Sequence, residues 1–88
     1  MNKDYLENKG WKFSSEFDDI LSFEKGDVWK DCGMGAFLNF NTKNYNLRIK
    51  TTNKGFDMDG PKTSTKFDGY CGDHETFELI CKLIKLKI

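Results

Sequence analysis

Cys71, His74 and Cys81 put two of the three cysteines and the only histidine into the last quarter of an 88-residue chain. Cys71-x-x-His74 is an acceptable spacing for zinc, and distant Cys32 would complete a four-ligand set. Against this, Cys81 falls on an apolar stripe with Phe77 and Ile84, and there is no second close pair of ligands. The three read more simply as buried thiols and a surface histidine near a helix N-terminus, so neither metal nor cofactor is expected. A Cys71/His74 nucleophile and base would need an orienting group and an oxyanion site, for which only Gly69 and Gly72 are at hand. Asp57, Asp59 and Gly60 open like a calcium loop, but Lys62 and Asp68 stand where that loop needs its glycine and its bidentate glutamate. Gly33-Met34-Gly35 holds a fragment of a dinucleotide fingerprint with no helix after it, and reads as a flexible turn. The carboxylate pairs Asp18/Asp19 and Asp57/Asp59 lie in turns, where nothing marks an acid and a base. No catalytic residue is assigned, and a small metal-dependent enzyme is the remotest reading.

A second constellation is cationic. Arg48, the only arginine, and Lys50 project from the polar side of a strand, with Lys43, Lys54, Phe56 and Tyr45 close by in sequence. Such a face suits an acidic protein surface or, by charge plus stacking, RNA or nucleotides. A solvated strand face is the commoner reading of the same composition. With 14 acidic and 14 basic residues, the chain has no basic surplus for nonspecific nucleic-acid binding. The charge is nonetheless blocked: acidic over 1–31, basic over 32–56, acidic over 57–78 and basic over 79–88.

The elements that position these residues follow from periodicity. Asp73 stands at an N-cap, with Glu75 in the first turn and Lys82, Lys85 and Lys87 near the other end. Phe77, Ile80, Cys81, Ile84 and Ile88 form one helical stripe, and Leu79, Leu83 and Leu86 form a second. Two stripes exceed what one sheet face covers. Another element of the chain over the leucines is the commoner arrangement; a second copy, giving a homodimer through Leu79, Leu83 and Leu86, is the alternative. Asn2 or Asp4 caps a short first helix that stops near Gly10 and could cover the leucines. Trp11, Phe13 and Phe17 give a strand with one aromatic face, Asp18-Asp19 turns it, and Ile20–Lys25 is the next strand. Val28 and Trp29 fit a strand or a loop equally. Ala36–Asn41 and Tyr45–Thr52 alternate as a hairpin about Thr42-Lys43-Asn44, where Asn44 tolerates the left-handed conformation such loops often require. Residues 53–66, rich in Gly, Asp, Lys, Ser and Thr, read as a long loop, followed by a short edge strand near Phe67 and Tyr70.

These pieces predict one α+β domain over residues 1–88: a short N-terminal helix, an antiparallel sheet of about four strands, and a C-terminal helix on its apolar face. Aromatic residues at 15% of the chain compensate for an apolar content of only 38% in building a core. The odd cysteine count, without a C-x-x-C pair, fits reduced thiols, and no apolar run suits a membrane span or signal peptide. A soluble, cytoplasmic protein with no membrane contact is expected. Taken whole, the LENKGW segment, the aromatic strands and the closing FDGY…ETFELICKLIKL, with heavy Lys and Asn usage, resemble the small orphan proteins of bacteriophages and mobile elements. That resemblance implies a non-enzymatic inhibitor of host defence, of anti-CRISPR type, that occupies a host protein or ribonucleoprotein such as a nuclease or its guide-RNA complex. It carries no motif from which site residues could be transferred, so Arg48, Lys50, Lys43, Lys54 and Phe56 stand as the partner-binding residues on chemistry alone. A nucleotide- or RNA-binding module or sponge is the alternative.

Overall fold

Each strand of this chain pairs with the strand that follows it. The computed structural model describes residues 2–27, 34–58 and 60–84, apart from the side chains of Asp27, Met34, Lys54 and Asp57. In order they form α1 (Lys3–Asn8), β1 (Lys12–Phe17), β2 (Ile20–Asp27), β3 (Met34–Asn41), β4 (Asn46–Asp57), β5 (Gly60–Tyr70) and α2 (His74–Leu83). The strands make one antiparallel sheet in the order β1-β2-β3-β4-β5, so the α+β class holds, and among the described residues alone five strands exceed the expected four. No helix among the described residues is long and apolar enough to cross a membrane.

Helix ends follow their caps. Asn2, rather than Asp4, starts α1, its Oδ1 accepting from Tyr5 N at 2.8 Å. At the other end Gly10 N–H bonds Glu7 O and Trp11 N–H bonds Leu6 O, with Gly10 at φ +94°. This paired closure needs a left-handed residue at Gly10, and it brings Leu6 and Trp11 into the core together. Asp73 Oδ1 accepts from Thr76 N at 2.7 Å to start α2.

Sheet register turns alternation into layers. Phe13, Phe23, Leu38, Ile49 and Phe67 are partners along one row through all five strands, and Leu21, Phe40, Leu47 and Gly69 along the next. Leu6, Trp11, Cys71, Phe77 and Ile80 join these rows in one core, so both helices cover the inner face. Phe17 does not belong to that face. The register slips between Phe13 and Ser15, and beyond this bulge Phe17 pairs with Ile20 on the outer side, 81% exposed. Asp18 and Asp19, both at positive φ, form the two-residue turn that follows.

Three further expectations change. Tyr45, at φ +59°, is the left-handed residue of the β3–β4 connection, so β4 begins one residue later than alternation suggests. Its ring instead lies near Phe40 and Tyr70. Residues 53–57 and 60–66 are not a loop but the continuation of β4 and most of β5, with Thr52 opposite Thr63 and Phe56 opposite Pro61. Their polar composition reflects a ribbon with little core behind it, held by register inherited from the sheet. Met34 and Gly35 open β3 rather than a flexible turn, while Val28, Trp29, Cys32 and Gly33 lie outside the described residues.

On α2, Phe77 and Ile80 are buried, but Leu79 and Leu83 are 59% and 80% exposed. α1 packs instead beside His74, Phe77 and Glu78, through Tyr5 and Lys9. The second stripe is therefore left open among the described residues, and Leu86 and Ile88 lie outside them.

Leu38 is fully buried at the middle of the inner row, so Leu38→Ala should destabilise the fold by about 2–4 kcal/mol in urea unfolding. Phe17→Ser should change it by less than about 0.5 kcal/mol. A large loss at Phe17 would mean that the bulge does not turn it outward.

Candidate functional site

The face turned away from the helices is built of polar rows. Ser15, Ser22, Asn39, Arg48 and Asp68 are successive partners across all five strands. Ser22 Oγ donates to Asn39 Oδ1 at 2.9 Å, and Arg48 Nε donates to Asp68 Oδ2 at 3.1 Å. Asn46 Nδ2 donates to the other Asp68 oxygen at 3.1 Å. Asp68 thus accepts on both oxygens, and the Asn46 bond first, then the Arg48 charge, holds its carboxyl below the usual range. Because Asp68 takes only Nε–H, it orients the guanidinium while its terminal amino groups make no hydrogen bond among the described residues. A guanidinium so held suits bidentate contact with a carboxylate or phosphate.

The neighbouring row is Lys12, Glu24, Phe37, Lys50 and Thr65. Just past it the β3–β4 pairing ends. Thr52 is buried, and its hydroxyl accepts from Gly35 N at 2.9 Å and donates to Gly35 O at 3.1 Å, satisfying both backbone groups at the fork. Beyond Thr52, β4 and β5 run on as a two-stranded ribbon. Between ribbon and sheet lies a groove of about 800 Å³. Ser22, Glu24, Phe37, Asn39 and Lys50 make its floor, Ser14 and Ser15 one wall, and Asn53, Pro61, Lys62 and Thr63 the other.

The five partner-binding candidates do not form one patch. Lys43 sits at the β3–β4 connection, paired with Asp19 at 3.1 Å. Phe56, 42% exposed, lies at the opposite end of β4, ten steps along the strand from Asn46 at about 3.3 Å each. Arg48 and Lys50 lie between, on adjacent outer rows. The backbone of Lys54 belongs to the ribbon, and its side chain is outside the described residues. Sequence reading missed Ser22, Glu24, Asn39 and Lys62. The first three were visible as polar alternates of buried strand positions; Lys62 was hidden by the loop reading.

Cys71, His74 and Cys81 are occupied structurally. The Cys71 thiol is buried and donates to Asp73 O at 3.6 Å, and burial pushes both thiols up. The His74 ring stacks on Tyr5 with centroids 3.7 Å apart, and burial, followed by the Glu78 charge, raises the Tyr5 phenol. Among the described residues no three metal-binding side chains are grouped to hold an ion; Asp59 and Cys32 lie outside them. A smaller cavity of about 350 Å³ lies between α1, α2 and β2, floored by Trp11, Phe77 and Cys81. Two of the lysines that line it are engaged: Lys9 with Glu78 at 2.6 Å, and Lys25 with Lys9 O at 2.9 Å and over the Trp11 ring.

A depressed carboxyl stabilises the fold fully above its unfolded pKa, and that stability is lost as pH falls through the lower folded value. Asp68 is depressed, as are Asp73 by Thr76 and Glu78 by its Lys9 hydrogen bond. The melting temperature should therefore drop in acid below about pH 4, and Asp68→Asn should flatten part of that drop in a circular-dichroism series. An unchanged acid limb would show that the Asn46–Asp68–Arg48 contacts do not persist in solution. No family model, curated protein or solved structure matches the chain.

Proposed function

We propose that this chain is a non-enzymatic binding protein, a phage-type inhibitor that acts in the host bacterial cytoplasm by covering a surface of a nuclease or its guide-RNA complex. The observation that carries the reading is the outer row around Arg48. A guanidinium fixed through Nε by Asp68 offers its remaining donors to an anionic partner without first losing side-chain freedom. Lys50, on the adjacent row, adds a second cation on the same face. The resemblance to small mobile-element proteins supplies the partner class, and the acidic or phosphate character of the contact follows from the two cations.

The test is capture from bacterial lysate by tagged protein, with mass spectrometry and nuclease treatment of the bound fraction. A nuclease or its guide complex should be enriched, and Arg48→Gln with Lys50→Glu should abolish that capture. Arg48→Glu is the poorer variant, because it would set a second carboxylate against Asp68 and confuse stability with binding. The melting temperature of the double variant should stay within about 3 °C of the parent. Capture that survives the substitutions would overturn the assignment of this face. Enrichment of RNA alone, lost on nuclease treatment, would replace the inhibitor with an RNA-binding module.

A further inference from the structure

The groove between sheet and ribbon has a chemistry of its own. Lys50 rises from its floor and Lys62 stands in its ribbon wall. Among the described residues neither has an ion pair, whereas beside the smaller cavity Lys9 is paired with Glu78 and Lys25 bonds Lys9 O. Two ammonium groups facing one cleft without a direct ion pair repel each other and suit a single group of charge near −2. A phosphate monoester or diphosphate end carries such a charge, whereas a carboxylate does not. Hydroxyls of Ser14, Ser15 and Thr63 supply neutral donors for the remaining phosphate oxygens or for sugar hydroxyls.

The opposite end of the floor has the opposite sign. Glu24 and Lys50 occupy the same row on β2 and β4, two interstrand spacings or about 10 Å apart, with Phe37 between them. A ligand lying along this row would meet an acceptor at one end, apolar surface from Phe37 in the middle, and cations at the other. The groove volume, about 800 Å³, is within the range of small-molecule sites.

We propose that the groove between the outer sheet face and the β4–β5 ribbon is a binding site for a small nucleotide, its phosphates held by Lys50 and Lys62 and its base donors by Glu24. This goes beyond the inhibitor reading and does not depend on it. Nucleotide binding is measured on the isolated protein and partner capture in lysate, so either can fail without the other.

ADP, adenosine and ribose 5-phosphate, titrated separately into ¹⁵N-labelled protein, distinguish phosphate reading from base reading. ADP should shift the backbone amides of Ser22, Lys50 and Thr63 saturably, with each of the other two ligands binding at least about tenfold more weakly. Lys50→Gln with Lys62→Gln should weaken ADP about tenfold or more and reduce the salt dependence of binding, and Glu24→Gln should weaken ADP while leaving ribose 5-phosphate unchanged. No saturable shift at millimolar ADP, shifts centred outside the groove, or undiminished binding by the double-lysine variant would overturn the proposal. Ribose 5-phosphate binding as tightly as ADP would overturn the assignment of a base to Glu24.

Discussion

The inner row Phe13, Phe23, Leu38, Ile49 and Phe67 is the constraint that the remaining structure answers to. In a sheet whose strands follow one another in sequence, burying this row fixes the facing of every alternate residue, because strand side chains repeat with period two. The helices are accordingly not independent units. α1 is too short to persist alone in water, and what holds it is the burial of Leu6 and Trp11 against the same face. The outer rows are the necessary complement. Ser22, Asn39, Arg48 and Lys50 point outward because Leu21, Phe23, Leu38, Leu47 and Ile49 point in.

Fold class, the cap at Asp73, and the alternation of Ala36–Asn41 were legible because each rests on local chemistry that its own residues carry, whereas Asn2 and Asp4 offered the same capping chemistry and the sequence did not choose between them. What was not legible depended on neighbours. The bulge that expels Phe17 leaves no mark in KFSSEF, where Phe13 and Phe17 keep an even spacing; only the pairing with β2 reveals the extra residue. Residues 53–66 look like a loop because no apolar stripe marks them. Residues 53–57 and 60–66 become strand because β4 has already been set in register by β3, and a strand so anchored can propagate through Gly55 and past Pro61 with β5 as partner.

The same ribbon explains why the cationic candidates scattered. Proximity in sequence along β4 means separation in space, since an extended chain moves each residue away from the last. Partners came instead from across the sheet: Asp68 to Arg48, Asp19 to Lys43, and Glu24 to the row of Lys50. Lys62 joined the groove from residues that seemed to have no fixed place. A site assembled by register is invisible to a search for local motifs, and this one draws on all five strands.

Sequential strand order also has a kinetic side. Neighbouring strands can pair one after another along the chain, whereas the contacts between Lys9 and Glu78 and between Tyr5 and His74 close almost the whole chain into a loop. Loop-closure entropy rises with length, so this closure is costly until the intervening sheet has already brought the ends together. The two helices therefore act as a late clasp. Their docking gives the N-terminal and C-terminal segments, distant in the chain, a shared dependence on the sheet between them, and makes that clasp the region where partial opening of the native fold should begin.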